Sequence, residues 1–435
     1  MTPLRFAFLL AVAALALPAQ AQLRLPSLPA VPSLPSLPAP AQATSALRRD
    51  LAAVEERVQA RRQRVADMLN RRGALIEADP AGEPAVRGEL LVTSPSPALM
   101  AAAQAEGFGV VRERRLEALD LVIVTLRAPA GWDTPRALRR LREIDPQAAI
   151  DFNHLYLESG TVETPRPASA PAAGPAPSGT AGPRLGLVDG GIETDHPLLR
   201  GAAVRAWGCG GRKIASAHGT AVASLMVGRS DRFRGAAPSA TLYAADVYCD
   251  DPIGGSIEAV AAALAWLLGE QVPVINISLV GPANRTLEQV VRRVTSRGVL
   301  LVAAVGNDGP AAAPLYPAAY PEVVAVTGVD ARGVVLPEAG RGPHVAFAAP
   351  GSDMIAAGLS NGPYATPRGT SFAAPLVAGR LAQLMRGTDA DASGLALTAL
   401  AREAIDLGAR GRDPVYGHGL VARELRVDPT VVGLR

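Results

Sequence analysis

The chain has 435 residues, of which 49% are apolar and 4% aromatic, so it is long enough for two or three domains with cores built mostly from Ala, Val and Leu. The apolar content excludes wholesale disorder, and the 43 Gly and 38 Pro follow no collagen-like period. With 43 Lys and Arg against 40 Asp and Glu, the charge indicates no surface for nucleic acid. The two cysteines, Cys209 and Cys249, are too few for a zinc site and allow one bridge.

The N-terminus has the pattern of a signal peptide over residues 1–21. Arg5 precedes an apolar run from Phe6 to Leu17, and Ala19-Gln20-Ala21 supplies the small residues expected before a cleavage site. The alternative is a membrane anchor, but about twelve apolar residues are fewer than the roughly twenty that cross a bilayer. We therefore predict cleavage before Gln22, no transmembrane segment in the mature chain, and export to the periplasm or the extracellular space, where thiols can oxidise.

Two segments separate the signal peptide from the first folded domain. Residues 22–43 are almost entirely Leu, Pro, Ser and Ala and predict an extended spacer. In residues 44–86, apolar side chains recur at spacings of three and four, which predicts an Arg-rich amphipathic helix over Thr44–Ala78, with a stripe made of Leu47, Leu51, Val54, Val58, Val65 and Met68. We favour packing of this stripe on the protein itself. The alternative is docking to an unknown partner helix or anionic surface.

Residues 87–158 predict a small α+β domain. The predicted order is strand, helix, strand, strand, helix, strand, over Gly88–Val92, Pro97–Gly107, Gly109–Leu116, Leu119–Leu126, Thr134–Ile144 and Ala148–Leu157. This order is the split βαβ pattern of a ferredoxin-like fold. Residues 159–182 then consist mainly of Pro, Ala, Gly, Ser and Thr, which is typical of a flexible linker that proteases can reach.

Residues 183–435 predict an α/β domain with a doubly wound parallel sheet. Predicted strands are Leu185–Val188, Ala203–Trp207, Thr241–Val247, Val274–Ser278, Leu300–Ala304 and Val323–Gly328, and predicted helices are Thr220–Val227, Ile257–Leu268, Thr286–Arg297 and Ser371–Met385. Strands that are apolar on both faces and alternate with helices are typical of such a sheet. Ligands of these folds bind at the carboxyl ends of the strands.

Three side chains with complementary chemistry fall at such positions. Asp189 follows a buried strand, His218 begins one predicted helix, and Ser371 begins another. Serine hydrolysis needs a base within reach of the hydroxyl and a carboxylate that fixes the base's tautomer. A serine at a helix N-terminus also has backbone N–H groups that can stabilise an oxyanion, and Asn307 could supply a second donor. Taken singly, the segment Asp189-Gly190-Gly191 could be a turn, and His218 could be a helix cap or a core residue.

These segments resemble the subtilisin-like serine peptidases (subtilases, peptidase family S8), from about Arg184 to Val421. The order Asp, His, Ser is the one known for subtilisin. The resemblance implies that Asp189 orients His218, that His218 is general base and then acid, that Ser371 is the nucleophile, and that Asn307 with the Ser371 N–H forms the oxyanion hole. It also implies substrate-binding roles for Gly254, Gly255, Ser256, Ser278, Leu279, Val280, Gly281, Ala303, Ala304, Gly306 and, at the pocket floor, Leu315.

The same resemblance implies a role for residues 87–158. Subtilases commonly carry an N-terminal propeptide of ferredoxin-like fold that assists folding and blocks the active site until it is removed. We therefore predict a precursor that cleaves itself within Glu158–Pro183, with its own propeptide as inhibitor. The alternative is a permanent binding module.

The chain also departs from the family pattern. Gly190 stands where relatives usually have Ser or Thr, and we expect activity to survive the loss of that hydroxyl. The loop between His218 and Pro238 lacks the oxygen ligands that hold calcium, so we predict no metal there and no cofactor. Cys209 and Cys249 each follow a strand, and by resemblance these strands are adjacent and parallel, so we predict a disulfide. Two buried thiols are the alternative.

The expected function is a serine endopeptidase that acts on proteins or peptides. A catalytically silent subtilase fold that serves as a binding or scaffold protein is the main alternative, but the chain has all three triad residues. An α/β-hydrolase is disfavoured because the chain has no Gly-x-Ser-x-Gly, and a dinucleotide enzyme because no strand is followed by Gly-x-Gly-x-x-Gly.

Overall fold

The computed structural model describes residues 40–163, 182–359 and 364–434, with side chains from residue 51 onward. Asp50–Arg435 form one compact unit, separate from Met1–Arg49. The predicted signal peptide, the spacer up to residue 39 and the linker over residues 164–181 lie outside the described residues. In the part of the chain described, none of the helices has the length and apolarity needed to span a membrane.

The first helix, α1, spans Pro40–Arg72, so its predicted end at Ala78 is wrong. Ile76–Ala78 instead form strand β1, which pairs antiparallel with residues 84–86. The reason is burial, because the Ile76 side chain is fully enclosed in this pairing. Part of the predicted stripe packs on the protein itself: Val65 is buried and Met68 packs on a cluster with Ile76, whereas Leu51 is exposed.

The α+β domain follows the predicted order of elements. Its members are β2 (Pro84–Thr93), α2 (Pro97–Ala105), β3 (Gly109–Leu116), β4 (Leu121–Arg127), α3 (Thr134–Ile144) and β5 (Ala149–His154). The antiparallel sheet has the order β1-β2-β4-β3, with β5 also paired to β2. Ser96 caps α2 and Asp133 caps α3 by accepting backbone N–H bonds, which fixes where each helix begins.

The end of this domain differs from the prediction. The strand predicted over Ala148–Leu157 ends at His154, and Leu157–Glu158 form a separate strand, β6. Thr161–Glu163, predicted as flexible linker, form strand β7. Both short strands pair with the α/β domain over residues 183–435 and not with the sheet that precedes them. Composition alone could not reveal this, because the hydrogen-bonding partners are more than a hundred residues away.

The α/β domain has a seven-stranded parallel sheet in the order β15-β14-β13-β11-β8-β10-β9. These strands are β8 (Arg184–Asp189), β9 (Ala203–Trp207), β10 (Thr241–Asp246), β11 (Val274–Ile277), β13 (Leu300–Ala304), β14 (Val324–Val329) and β15 (Val345–Pro350). Short strands β12 (Leu279–Val280), β16 (Ala356–Ala357) and β17 (Tyr364–Arg368) lie outside it. The helices are α4 (Ala217–Val227), α5 (Ile257–Gly269), α6 (Arg285–Thr295), α7 (Thr370–Leu384) and α8 (Ala390–Glu403).

The α/β fold class is confirmed, and helices cover both faces of the sheet. Alternate strand residues point to opposite faces, so Leu187 joins one core cluster with α4 and α7, and Val188 joins another with α5 and α6. Apolar side chains of the α+β domain, including Leu91 and Leu116, belong to this second cluster. The α+β domain therefore packs on α5 and α6 through a shared core.

Candidate active site

Asp189 and His218 are hydrogen-bonded at the carboxyl end of the sheet. Asp189 is the last residue of β8 and is fully buried, and His218 lies in the first turn of α4, which the Ser216 hydroxyl caps. The Nδ1 atom of His218 lies 2.9 Å and 3.1 Å from the two carboxylate oxygens of Asp189. Since a carboxylate accepts the hydrogen bond, Nδ1 carries a proton and the ring is fixed with Nε2 directed away from Asp189.

Ser371 is the second residue of α7, close to the same edge of the sheet. The ring of the next residue, Phe372, packs on the His218 ring with centroids 5.0 Å apart. The Ser371 hydroxyl donates to the carbonyl of Ser278 at 3.3 Å, while Nε2 of His218 lies 3.4 Å from the carbonyl oxygen of Ser159. Ser371 is therefore adjacent in the chain to the residue that contacts the His218 ring, and the Ser159 carbonyl lies beside His218 Nε2.

Asn307 lies next to the N-terminus of α7. Its Oδ1 accepts from the Thr370 N–H at 3.1 Å, and its Nδ2 donates to the Ser159 hydroxyl at 2.7 Å. A Cβ atom on Gly369 would approach Nδ2 to 2.9 Å, so glycine at this position leaves room for the amide. Asn307 is thus hydrogen-bonded to the first residue of α7, and its amide places a side-chain donor beside the N-terminus of this helix.

The chain's own segment from Leu155 to Glu163 runs through this cleft in extended form. Leu155 bridges to Ser256, and the Tyr156 N–H donates to the Gly255 carbonyl at 2.8 Å. Strand β6 then pairs antiparallel with β12, and β7 pairs antiparallel with β17. Residues predicted to bind substrate therefore hold this segment as a β-strand. The sequence analysis did not place Glu158, Ser159 or strand β17 in the site, because no local signal marks residues that meet only in the folded chain.

Glycines make room for the segment at Tyr156. A Cβ atom on Gly281 would lie 2.5 Å from the Tyr156 ring, and one on Gly255 would collide with the Tyr156 carbonyl. The ring is fully buried, and its hydroxyl donates to the carbonyl of Pro282. The predicted binding stretches Gly254–Ser256 and Ser278–Gly281 thus enclose a tyrosine as well as the backbone.

The remaining predicted pocket residues are buried beside the cleft. Ala303 and Ala304 belong to the two core clusters on opposite faces of the sheet. A Cβ atom on Gly306 would lie 2.5 Å from Cδ1 of Leu315, so these two residues are in direct contact. Leu315 also lines a cavity of about 500 Å³ whose other wall is helix α1.

Helix α1 lies over the cleft. Arg61 is buried and forms ion pairs with Glu83 and, at 3.3 Å, with Asp308, the residue after Asn307. Burial raises the pKa of the Asp308 carboxyl, although Arg61 opposes this shift. Arg64 donates to the carbonyl of Glu158 at 3.4 Å. The arginine-rich helix therefore contacts both the α/β domain and the segment in the cleft.

Cys209 and Cys249 form a disulfide, so the predicted bridge is confirmed. Their strands, β9 and β10, pair in parallel as the resemblance implied. Cys209, Asp246 and Cys249 have ligand atoms close enough to hold a metal, as do Glu158, Asp189 and His218. In the first group the two sulfur atoms form the disulfide. In the second the imidazole of His218 is hydrogen-bonded to the carboxylate of Asp189. We therefore assign neither group to a metal.

Comparisons with known proteins agree with this geometry. A family model described as the subtilase family matches residues 180–419, more than half of the chain. The chain is 31% identical over 242 residues to the minor extracellular protease Epr of Bacillus subtilis (strain 168), a match that covers 55% of this chain and 37% of Epr. It is 35% identical over 249 residues to Subtilisin BL of Lederbergia lenta, covering 56% of this chain and 90% of that protein.

The fold of a longer part of the chain also has a solved counterpart. It is similar to the crystal structure of fervidolysin from Fervidobacterium pennivorans, described as a keratinolytic enzyme related to subtilisin, with a TM-score of 0.63 and 20% identity over 80% of this chain and 62% of that one. At this identity the likeness shows the fold alone. The family match over more than half of the chain is decisive: the chain belongs to the subtilase family and is a serine-type endopeptidase.

Proposed function

We propose that the chain is an exported endopeptidase precursor that hydrolyses peptide bonds through Asp189, His218 and Ser371. Its own propeptide inhibits it. The observation that carries this proposal is the path of the chain, which passes as a β-strand between the two substrate-binding strands and over the paired Asp189 and His218. Acidic, basic and nucleophilic groups that converge on an extended peptide are what a peptidase needs.

The proposed reaction begins at the Ser371 hydroxyl. The hydroxyl turns from the Ser278 carbonyl to Nε2 of His218, which takes its proton as Oγ bonds to the substrate's carbonyl carbon. Asn307 Nδ2 and the Ser371 N–H donate to the resulting oxyanion. His218 then gives the proton to the leaving amine as the C–N bond breaks, and a water molecule repeats the sequence to release the acyl group as an acid.

The bond between Ser159 and Gly160 is the proposed self-cleavage site. Ser159 contacts His218 Nε2 through its carbonyl oxygen and Asn307 Nδ2 through its hydroxyl, and β6 and β7 hold the chain on either side of it. In the antiparallel pairing, Leu157 lies opposite Val280 and Glu158 opposite Leu279, which leads Ser159 to the triad. This placement lies within the processing segment expected from the sequence.

Self-processing is tested by expressing the full chain and the Ser371→Ala variant. We expect the parent to yield a fragment that begins at Gly160 and the variant to remain uncut there, as read by intact mass and N-terminal sequencing. A fluorophosphonate should label the parent and not Ser371→Ala, while Ser296→Ala, a change at an exposed serine at the end of α6, should behave as the parent. Identical fragments from parent and variant would overturn self-processing, and absence of labelling would favour a silent scaffold.

Export is part of the proposal and is supported by the N-terminal pattern. The disulfide is of the kind that persists in oxidising compartments. The relative Epr is by its name an extracellular protease. Fractionation of cells that express the full chain tests this point, since a protein retained in the cytoplasm with residues 1–21 intact would contradict it.

A further inference from the structure

The carboxyl group of Glu158 lies inside the active site, over Gly190. Its Oε1 accepts a hydrogen bond from the Ser216 hydroxyl at 3.3 Å, and Ser216 in turn accepts from the Gly219 N–H at 2.8 Å. A Cβ atom on Gly190 would collide with Ser216 Oγ and come within 2.9 Å of Glu158 Oε1. The glycine that departs from the family pattern therefore leaves the space that this carboxylate occupies.

We propose that Gly190 and Ser216 form a subsite for an acidic side chain on the residue before the cleaved one, and that a carboxylate seated there holds His218 as imidazolium. The inference rests on the proposed function. It identifies peptides with Glu at this position as ligands that occupy the cleft and suppress cleavage near pH 7, and it makes Glu158 an electrostatic brake on self-cleavage.

The hydrogen bonds around His218 support the charged form. Nδ1 faces the Asp189 carboxylate and Nε2 faces the Ser159 carbonyl, and both of these groups can only accept. The imidazolium, with a proton on each ring nitrogen, is the form that can donate to both acceptors. One carboxylate oxygen of Glu158, one of Asp189 and a ring nitrogen of His218 lie within 4.8 Å of one another, so an ionised Glu158 places a second negative charge beside the imidazolium.

The charged groups around the site and their burial have opposing effects on the pKa values of His218 and Glu158. Burial lowers the pKa of His218, but the charges of Asp189 and Glu158 outweigh it and raise that pKa to about 9. Burial raises the pKa of the Glu158 carboxyl, as does Asp189, while His218, the Ser216 hydrogen bond and Arg64 of α1 lower it. The Tyr248 phenol also faces this carboxylate, and burial raises its pKa well above the ordinary value, so it stays neutral.

A charged His218 slows catalysis near pH 7. A general base must be neutral to accept the Ser371 proton, and a pKa of about 9 leaves on the order of 1% of His218 neutral at pH 7. Because the shift is upward, the inactive charged form persists to higher pH. Removing the Glu158 charge lowers the pKa of His218, so cleavage begins at lower pH.

The decisive experiment titrates His218 in the full chain without catalysis. In the Ser371→Ala chain, ¹⁵N-histidine NMR resolves five histidines, and the His218 signal is assigned by its loss in a Ser371→Ala/His218→Gln chain. We expect a midpoint near pH 9 that falls by at least one pH unit with Glu158→Gln. Glu117→Gln, at an exposed position of the α+β domain, is the matched control and should leave the midpoint unchanged. Equal midpoints for the Glu158→Gln and Glu117→Gln chains would overturn the brake.

A second measurement uses the chain with Ser371 intact. Self-cleavage of Glu158→Gln should be about 10- to 100-fold faster than the parent near pH 7 and equal to it above pH 10. Gly190→Ser, which fills the subsite, should shift the profile in the same direction as Glu158→Gln. A slower rate at every pH would show that Glu158 only positions the segment and would refute the brake. If no variant is cut or labelled, the proposed peptidase function fails, while the titration of His218 still decides this inference.

Discussion

Gly160 is the residue at which the chain leaves the proposed cleavage site. Its φ of +121° lies in the region that favours glycine, and a Cβ atom there would come within 2.8 Å of both the Arg368 carbonyl and the Phe372 ring. Phe372 in turn packs on His218. A side chain at this position would therefore push the segment away from the nucleophile.

We expect Gly160→Ala to slow self-cleavage by about 100-fold, since a displacement near 1 Å in an active site has effects of that order. The measurement is the half-time of the full chain's conversion, followed by intact mass. Gly131→Ala is the matched control, because Gly131 also has a positive φ but has open space around it. Equal slowing in both variants would attribute the effect to backbone strain and contradict the proposed placement.

Sequence reasoning could propose a triad because each proposed member lies in a short local pattern. Asp189 ends an apolar strand, and His218 and Ser371 open helices, so their positions at one edge of the sheet follow from the fold class. Glu158 had no such pattern and was assigned to the start of the cleavable segment. Its role depends on a space above Gly190, which only the folded chain defines.

Among the elements, α1 is held over the cleft by a buried arginine. Arg61 is paired with two carboxylates, one from the α+β domain and one, Asp308, from the peptidase domain. Removing one partner of a buried ion pair leaves an uncompensated charge, which costs about 3 kcal/mol or more. This ion-pair network therefore ties the helix to both domains.

We expect Arg61→Ala to release α1 locally, with hydrogen exchange of the helix amides after residue 50 about 100-fold faster. The exchange should be measured in the Ser371→Ala background, so that processing does not interfere. Arg71→Ala, at an exposed position near the end of the same helix, should leave exchange at the cleft-facing turns unchanged. Protection that is equal in the two variants would show that apolar contacts alone hold the helix.

The sequence analysis missed strands β6, β7 and β15, because each lacks a strong local signal. Strand β15 is an edge strand of the sheet and ends in Pro350, a residue that edge positions tolerate but that reads as a breaker in sequence. Strands β6 and β7 are two and three residues long and exist only because β12 and β17 supply hydrogen-bonding partners. Helices α5, α6 and α7 and the central strands were located to within a few residues, whereas α8 was not predicted and α1 ends six residues before its predicted end.

On the scale of the whole molecule, the disulfide joins the ends of two adjacent strands across 40 residues. Closing a loop of this size restricts the unfolded chain by about 4 kcal/mol in the chain-entropy description. Its effect should therefore appear in the stability of the complete unit.

We expect the Cys209→Ser/Cys249→Ser chain to lose about 4 kcal/mol of unfolding free energy in urea, measured in the Ser371→Ala background to prevent self-digestion. The same chain should be insensitive to reductant, whereas the Ser371→Ala parent should lose a similar amount when reduced. A parent whose urea midpoint is unchanged by reductant would argue that the bridge does not form or does not constrain the unfolded chain.

The unbroken path from β6 to β7 also determines how inhibition depends on concentration. While the chain is intact, the segment in the cleft is tethered to the peptidase domain on both sides, and its occupancy is an intramolecular equilibrium that dilution cannot change. Once the bond after Ser159 is cut, β6 stays attached only to the α+β domain, and occupancy becomes a bimolecular equilibrium. A single hydrolysis would thereby convert a concentration-independent block into one that dilution relieves, so the surroundings into which the enzyme is released would themselves help to activate it.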